Sequence, residues 1–327
     1  MPDVAITGVQ PHDAHYLLPA LASSGHTPLP CANLASPDDV ASLPDSAVLV
    51  AFVGDDLSAP VLETLAARGV RLIALRAAGY DNVDIDAARA LGLSVSRVPA
   101  YSPESVAEHA AALLLAAARQ LPVSFARVRQ GNFSLDGLLG FSLQGKTVGI
   151  IGMGRIGRAF ARIAQGFGCR VLAASRSPFT CEGVTRVDLP ELWQRADIVS
   201  LHCPLSPDTR HLVNARVVSE MKPGGVLVNT ARGGLVDTAA VLDALDAGTL
   251  RAYCADVYER EACVFFRDLS GCGYDDPLLK RLIQHPRVIV TPHQAFFTHE
   301  ALRDIAASVV ASIEAWQAGE TTPDFLV

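Results

Sequence analysis

Residues 147–157 read TVGIIGMGRIG, and this stretch carries the strongest structural signal in the chain. The apolar, β-branched run at 147–151 predicts a buried strand, and the residues after the glycines predict a helix. The turn between them matches G-x-G-x-x-G: Gly152 allows a tight turn, Gly154 lets the backbone approach a pyrophosphate, and Gly157 lets the helix pack on the strand. The stretch therefore predicts a strand–turn–helix unit that binds a dinucleotide.

A second glycine motif overlaps the start of that strand. Residues 140–147, GFSLQGKT, match the P-loop pattern G-x-x-x-x-G-K-[ST]. A P-loop follows a strand and opens a helix, because the helix N-terminus and the loop amides hold the phosphates. Here the motif leads into a strand instead. The sequence therefore predicts a turn that feeds the strand, and it argues against a kinase or another NTPase.

Short apolar runs alternate with alanine-rich helical stretches along most of the chain, which is typical of βαβ units and parallel sheets. The predicted strands cover residues 4–8, 47–52, 71–78, 94–99, 147–151, 170–174, 197–202, 225–230, 251–257 and 287–291. The first four indicate a small α/β unit, and the last six suffice for a complete doubly wound nucleotide-binding sheet. We therefore expect an α/β fold.

Two helical stretches and one irregular segment complete the pattern. Ser102 and Pro103 predict the start of a long apolar helix, which lies either between two bodies of the protein or inside one core. Residues 299–319 predict an amphipathic helix. Residues 259–276 break the alternation, and an irregular stretch of that length is typical of a functional loop.

Composition and charge exclude several classes of protein. The 327 residues are 50% hydrophobic and carry a net charge of −7, which argues against general binding of nucleic acids or anionic membranes. The apolar run at 110–118 is too short to span a bilayer, and the N-terminal residues do not resemble a signal peptide. The seven cysteines include no C-x-x-C pair, and the nine histidines show no metal-ligand spacing. We therefore expect a cytoplasmic protein with reduced thiols and no metal site.

The residues after the second strand of the nucleotide unit bear on which dinucleotide is bound. An acidic residue there would accept hydrogen bonds from the adenosine ribose and repel a 2′-phosphate. This chain instead has Ser175 and Arg176, a hydroxyl that can donate to a phosphate and a guanidinium that can pair with it. The pair favours NADP(H) over NAD(H). The alternative is that Arg176 simply points to solvent.

Three stretches with polar residues are predicted at the carboxyl ends of strands, where ligands of doubly wound sheets bind. Arg232 lies in VNTARGGLVD, Asp256 and Glu261 lie in ADVYERE, and His293 lies in VTPHQAF. An arginine can hold a carboxylate through two hydrogen bonds. A histidine can give a proton to a ketone oxygen near neutral pH, and a carboxylate beside it stabilises the imidazolium. Together these residue types predict chemistry on a 2-oxo acid.

At this point the sequence resembles a known family, the D-isomer-specific 2-hydroxyacid dehydrogenases. The resemblance covers essentially the whole chain and rests on GMGRIG, LHCPLSPDTRHLVN, VNTARGGLVD, DVYERE and TPHQAF. Within this family the chain is most similar to the fermentative D-lactate dehydrogenase branch. This narrower resemblance rests on LRAAGYDNVDIDAA, VPAYSPESVAEHA, FSLQGKTVGIIG, CVFFRDLS and HQAFFTHEAL.

The family resemblance implies a fold of two doubly wound parallel-sheet domains, with a Rossmann-type nucleotide domain inserted into a smaller flavodoxin-like catalytic domain. The nucleotide domain would span residues 101–297, and the catalytic domain would combine 1–100 with 298–327. The resemblance also implies a homodimer or a homotetramer.

The resemblance also implies roles for individual residues. Arg232 would bind the substrate carboxylate and carbonyl, His293 would be the general acid and base, and Glu261 would pair with His293. Other substrate contacts would come from the backbone amides of Ala77, Ala78 and Gly79 and from the side chains of Tyr101, Phe52 and Phe296. Other cofactor contacts would come from Asp256 at the nicotinamide carboxamide, from Cys203 and Pro204 near its ring, and from Arg155, Ile156, Thr230 and Ala231.

These roles predict hydride transfer between a nicotinamide cofactor and a small 2-oxo or D-2-hydroxy acid, with pyruvate and D-lactate as the first candidates. The branch usually carries an aspartate where Ser175 stands, so the usual NAD preference is in question here. An NADPH-dependent glyoxylate or hydroxypyruvate reductase is the alternative enzyme. A nucleotide-sensing, corepressor-like binding protein is the alternative from a different class.

Overall fold

The computed structural model describes residues 3–99 and 101–327, except for the side chain of Cys263. The chain forms two compact units. Unit 1 comprises Met1–Ser102 and Phe296–Val327, and unit 2 comprises Pro103–Ala295. The domain boundaries derived from the sequence, 1–100 with 298–327 and 101–297, stay a prediction.

Strands and helices alternate through both units of the described chain. The strands are β1 (Asp3–Thr7), β2 (Thr27–Cys31), β3 (Val48–Ala51), β4 (Leu72–Leu75), β5 (Ser94–Ser96), β6 (Thr147–Ile151), β7 (Arg170–Ala174), β8 (Val184–Arg186), β9 (Ile198–Leu201), β10 (Gly225–Asn229), β11 (Leu250–Ala255) and β12 (Val288–Val290). The α-helices are α1 (Leu17–Ser23), α2 (Ala59–Ala67), α3 (Ile85–Ala90), α4 (Pro103–Ala118), α5 (Leu121–Arg129), α6 (Arg155–Gly166), α7 (Leu189–Arg195), α8 (Ala215–Glu220), α9 (Thr238–Asp246), α10 (Pro277–Gln284) and α11 (His299–Gln317).

Unit 1 has a parallel five-stranded sheet in the order β2-β1-β3-β4-β5, which is the flavodoxin-like order. Strand β2 was not predicted from the sequence. Pro28 and Pro30 lie in this strand, and proline is tolerated in a sheet only where its missing N–H is not needed, as at an edge. β2 is such an edge strand. Its two prolines argue against a strand when the sequence is considered alone, and its pairing with β1 shows that it is one.

Unit 2 has a parallel seven-stranded sheet in the order β12-β11-β10-β9-β6-β7-β8. Strand order reverses at β6, as in the Rossmann fold, and the glycine turn follows β6. The expected α/β fold with two doubly wound parallel sheets is therefore confirmed. The sequence predicted six strands here and missed β8, an edge strand of three residues.

Apolar clusters cover both faces of the unit 2 sheet, as expected where helices flank parallel strands. Val226 and Val228 of β10 lie in one cluster and Leu227 lies in the other, because successive side chains of a strand point to opposite faces. α4 packs against α6 and β11 and buries Ala107, Ala110 and Leu114. This apolar helix is therefore a core helix of unit 2.

The long helix α11 returns the chain to unit 1, where it packs against α1 and β4. The predicted strand over 71–78 is shorter than expected and ends at Leu75. Residues 76–78 form a bend instead, at the carboxyl edge of the unit 1 sheet. Gly145 has φ +75° and lies in a turn two residues before β6, so the P-loop-like motif is a turn that leads into a strand.

Among the described residues, no single helix has the length and apolar composition needed to cross a membrane. The bent pair α4 and α5 meets those two criteria only when its members are taken together, and the bend between them is 63°.

Candidate active site

The glycine turn after β6 is tightly packed at its first and third glycines and open at its second. Gly152 has φ +100°, and a Cβ there would lie 2.6 Å from the His202 carbonyl carbon. A Cβ on Gly157 would lie 2.0 Å from the carbonyl oxygen of Gly152. A Cβ on Gly154, which caps α6, would meet no atom within 4 Å. The turn therefore leaves space at the N-terminus of α6, where backbone amides favour an anion.

The residues after β7 lie beside this turn, because the Gly152 amide donates to the Ala174 carbonyl at 2.9 Å. Ser175 is half-buried and Arg176 is exposed. Within the described chain Arg176 forms no ion pair, and the nearby Arg158 donates to the Thr180 carbonyl at 2.7 Å. The stretch 175–181 contains no acidic residue.

Two neutral side chains follow β9 on the other side of the turn. Burial lowers the pKa of His202 to about 3, and its Nε2 atom lies 2.9 Å from the Ser200 hydroxyl. Burial also raises the pKa of the Cys203 thiol to about 11. Both side chains are therefore uncharged at neutral pH, next to the turn that Gly152 makes against the His202 backbone.

The loop after β10 carries Arg232, and the buried Asn229 holds this loop in shape. The Asn229 amide donates to the Arg232 carbonyl at 2.9 Å, and its oxygen accepts from the Ala231 amide at 3.1 Å. Arg232 Nη1 donates to the Ala231 carbonyl at 2.9 Å. The hydroxyl of Thr230 is buried and has no hydrogen-bond partner in the part of the chain that the structure describes.

The structure brings Glu261 and His293 together, although they lie 32 residues apart. Glu261 Oε1 is 2.7 Å from His293 Nδ1, and Glu261 Oε2 accepts from the Tyr258 amide at 2.8 Å. The side chains are 22% and 15% exposed. Because one carboxylate oxygen is held by the backbone, the other is fixed toward the imidazole and can orient it and stabilise its protonated form.

Asp256 is fully buried and organises the loop that carries His293. Its carboxylate accepts from the Gln294 amide at 2.9 Å, from the Ala295 amide at 2.8 Å and from the Thr291 hydroxyl. His109 Nε2 lies 3.0 Å from that hydroxyl and 3.4 Å from the carboxylate. The expected contact of Asp256 with the nicotinamide carboxamide stays a prediction.

Unit 1 carries the other predicted substrate residues. Among the described residues, no group accepts a hydrogen bond from the amides of Ala77, Ala78 or Gly79, which follow β4. Arg76 lies before them and is held by Asp13 at 2.7 Å, with its guanidinium 4.8 Å from the centre of the Phe52 ring. Tyr101 and Phe296 pack edge to face with ring centres 6.0 Å apart.

Comparisons with known proteins agree on one family. Residues 111–295 match the model of the D-isomer specific 2-hydroxyacid dehydrogenase NAD binding domain. The chain is also 47% identical to D-lactate dehydrogenase of Escherichia coli over 84% of this chain and 85% of that protein. The chain belongs to the D-isomer specific 2-hydroxyacid dehydrogenase family. It is therefore an oxidoreductase that transfers hydride between a nicotinamide cofactor and a 2-oxo or 2-hydroxy acid.

Solved structures also resemble this dehydrogenase over nearly its whole length. The pyruvate reductase of Chlamydomonas reinhardtii is 39% identical with a TM-score of 0.88, covering 99% of this chain and 98% of that one. D-lactate dehydrogenase of Aquifex aeolicus, solved in complex with NAD and lactic acid, is 30% identical with a TM-score of 0.87 and covers 99% of each chain.

The residues of the dehydrogenase fit a bound dinucleotide. The open space at Gly154 admits a pyrophosphate at the N-terminus of α6, where a side chain would otherwise point. The buried, unpartnered hydroxyl of Thr230 lies at the carboxyl end of β10, and it can pair with a polar group of a ligand. The neutral pair His202 and Cys203 adds no charge beside the turn.

Sequence reasoning missed several residues that shape the site of this dehydrogenase. Asn229 holds the Arg232 loop, His109 and Thr291 accompany Asp256, and Phe266 lies against His293. Asn229 and Thr291 lie at strand ends inside VNTARGGLVD and VTPHQAF, so position beside a strand end was a usable signal. His109 and Phe266 lie inside VPAYSPESVAEHA and CVFFRDLS but do not follow a strand directly, and only folding brings them to their partners.

Proposed function

We propose that this dehydrogenase reduces pyruvate to D-lactate and uses NADPH in preference to NADH, with Arg232, Glu261 and His293 as the catalytic residues. The observation that carries the proposal is the 2.7 Å contact between Glu261 and His293. Arg232 lies after β10, and these two residues follow the adjacent strands β11 and β12. Acid, base and carboxylate-binding groups thus belong to one edge of the sheet.

The nicotinamide ring supplies the hydride when the cofactor is bound. Arg232 binds the substrate carboxylate through its planar guanidinium and polarises the carbonyl. His293 donates a proton to the carbonyl oxygen in reduction and removes it in oxidation. Glu261 holds the imidazole in place and stabilises its charged form until that proton leaves.

We also propose substrate contacts for several residues of unit 1. Three consecutive free amides at the end of a strand, those of Ala77, Ala78 and Gly79, suit a carboxylate. The aromatic rings of Tyr101, Phe296 and Phe52 suit a small apolar group such as a methyl. Pyruvate combines these two features.

The proposed preference for NADPH rests on the loop after β7. Arg176 is exposed and lies with Ser175 next to the glycine turn. With no acidic residue at 175–181, the loop does not repel a 2′-phosphate. The proposed contacts of Arg155, Ile156 and Ala231 with the cofactor follow from their places in the turn after β6 and the loop after β10.

We also infer a homodimer and a cytoplasmic location. Among the described residues, eleven large hydrophobic side chains are exposed, and six of them lie within 121–139, namely Leu121, Phe125, Val128, Phe133, Leu135 and Leu139. An apolar concentration of this kind is typical of a subunit interface, and a second copy of the chain is the proposed occupant. The six described cysteines are free thiols, which suits a reducing compartment.

Turnover assays test the proposed function. The protein is mixed with NADPH or NADH and with pyruvate, glyoxylate, hydroxypyruvate or phenylpyruvate, and absorbance at the nicotinamide band is followed. We expect the highest kcat/KM with pyruvate. A higher value with glyoxylate or hydroxypyruvate would support the alternative reductase, and no turnover with any pair would support a binding protein.

Replacement of the proposed general acid gives the first mutational prediction. His293→Gln should lower kcat about 100-fold to 10,000-fold, since it removes proton transfer but preserves the side-chain size. Cofactor affinity, measured by fluorescence titration, should stay close to that of the wild type. Lost cofactor binding would contradict the assigned role. The exposed His15→Gln serves as the control and should keep full activity.

A further inference from the structure

Two residues with an unusual backbone conformation contact each other at the proposed catalytic histidine. Five described residues other than glycine have positive φ, and they include Phe266 at +63° and His293 at +55°. A bulky side chain in this left-handed region is a genuine outlier, because its Cβ crowds the following carbonyl. Such strain persists at functional sites where other contacts compensate for it.

The contact between the two rings is close. The centres of the Phe266 and His293 rings are 5.6 Å apart, and the ring planes are inclined by 39°. The His293 imidazole is also held by Glu261 through its Nδ1 atom at 2.7 Å. The imidazole therefore has a carboxylate at its edge and an aromatic ring beside it.

The same short segment supplies both partners of His293. A 3-10 helix spans Glu261–Cys263, and the amides of Val264 and Phe265 both donate to the Glu261 carbonyl at 2.9 Å. Phe265 is buried in the apolar cluster on one face of the unit 2 sheet, the cluster that contains Leu227, and Phe266 is only partly buried at its margin. The core thus anchors the segment through Phe265, one residue before the ring that meets His293.

We propose that Phe266 is a positioning residue, which holds the His293 imidazole against Glu261 and shields it from water. The inference rests on the role of His293 in the proposed function. Glycine would satisfy a left-handed backbone without strain, so the backbone does not explain a phenylalanine at this position. The ring does, because packing on the imidazole restricts its orientation and excludes solvent from its contact with Glu261.

Three variants of the full-length protein test this inference. Phe266→Gly keeps the left-handed backbone free of strain and removes the ring, so the fold should be retained. Phe266→Tyr keeps the ring and should behave like the wild type. Phe265→Leu is the matched control in the core, and it should lower the unfolding temperature without altering the reactivity of His293.

Two readouts are measured on each variant. The first is the rate at which diethylpyrocarbonate modifies His293, followed by mass spectrometry of its peptide, which does not depend on enzyme activity. Phe266→Gly should raise this modification rate several-fold above that of the wild type. Phe266→Tyr should be modified at the wild-type rate. The second is steady-state turnover of pyruvate, where Phe266→Gly should lower kcat about tenfold to 100-fold and change KM by less than about threefold.

The two readouts separate this inference from the proposed function. A wild-type rate of His293 modification in Phe266→Gly would overturn the positioning role, whatever the activity. Equal increases in Phe266→Gly and Phe265→Leu would also overturn it, because they would reflect general loosening of the segment. Wild-type protein that reduces no 2-oxo acid would defeat the proposed function, while the modification rates would still decide whether Phe266 holds His293.

Discussion

At the scale of single residues, the site separates charged from uncharged groups by their surroundings. Glu261 and His293 are partly exposed and paired, so a proton can reach and leave them. His202 and Cys203 are half-buried, and desolvation favours the neutral form of each. The paired groups thus lie where proton transfer is proposed, and the neutral side chains lie after β9, beside the glycine turn.

The buried His202 leads to a prediction about acid stability. Its pKa is about 3 in the folded protein and about 6.5 in an unfolded chain, so the unfolded state binds more protons between these values. Stability from this group is therefore lost as pH falls below about 6.5, by about 2 kcal/mol at pH 5. His202→Gln should flatten the dependence of unfolding free energy on pH, measured by urea titration between pH 7.5 and 5.

The control for this measurement is His15→Gln, which replaces an exposed histidine and should keep the wild-type slope. Only the difference in slope is informative, because a buried glutamine also changes stability at pH 7.5. Parallel curves for wild type and His202→Gln would show that His202 does not become protonated on unfolding as argued.

Cofactor choice is also decided by single residues. Ser175→Asp combined with Arg176→Ala should shift the ratio of kcat/KM for NADPH and NADH toward NADH by about tenfold to 100-fold, since charged hydrogen bonds to the 2′-phosphate are lost and an acid is added. Arg162→Ala, an exposed arginine of α6 that pairs with Glu104 at 3.3 Å, is the control. A wild-type enzyme that already prefers NADH would refute the interpretation of Arg176.

At the scale of elements, loops at the carboxyl edge are tied to one another by backbone contacts. A Cβ on Gly233 would lie 2.0 Å from the Tyr258 carbonyl carbon, so the loop after β10 passes directly against the loop after β11. His211 and Glu259 lie 3.2 Å apart, and Glu259 also accepts from the Thr238 amide at 3.2 Å. These contacts fix the loop of Arg232 relative to the segment that supplies Glu261.

The turn between β6 and α6 provides the prediction at this scale. Gly154→Ala should preserve the fold, because its φ of −72° suits alanine and the added Cβ meets no protein atom within 4 Å. The methyl group should instead occupy the approach of the pyrophosphate and raise the Kd for the cofactor about tenfold or more. Fluorescence titration measures this, and thermal unfolding checks the fold.

The same helix offers a matched control. Gly166→Ala also adds a methyl group that meets no atom within 4 Å, but it lies at the end of α6 away from the turn. We expect unchanged cofactor affinity and equal or greater stability, because alanine favours helix more than glycine does. Equal losses of affinity in both variants would rule out a specific phosphate approach at Gly154.

At the scale of the whole molecule, the distribution of exposed apolar side chains is uneven. Phe125 on α5 is 66% exposed and Leu139 in the following loop is 87% exposed. Both belong to the concentration at 121–139, and elsewhere such residues are scattered singly, which needs no special explanation. The proposed homodimer would remove these side chains from water.

Solution mass tests this assembly. Wild-type protein should sediment as a dimer of the 34.5 kDa chain or a multiple of it, and Phe125→Ser combined with Leu139→Ser should shift it toward the monomer. Ile283→Ser, at an exposed apolar position on α10, is the control and should leave the mass unchanged. A monomeric wild-type protein would refute the homodimer.

Much of the fold was predictable because its signals are local. Strands β6 and β7 end where their apolar runs end. The glycine turn was predictable because each of its three glycines meets a different steric requirement. β2 and β8 were missed because edge strands need neither apolar runs nor freedom from proline, and only their pairing partners define them. Local pattern thus determines buried strands far better than edge strands.

The two parallel sheets, the dinucleotide turn and the residue types at the strand ends were predictable from the sequence, because these features depend on periodicity and short spacing. The family resemblance implied that Glu261 pairs with His293, and the folded structure supplies the geometry of that contact. The contacts by which Asp256 holds the loop after β12, and by which Phe266 packs on the imidazole, are visible only in the folded structure. Those contacts join segments far apart in the chain or need a strained backbone, and both arise only when packing of the whole unit offsets their cost.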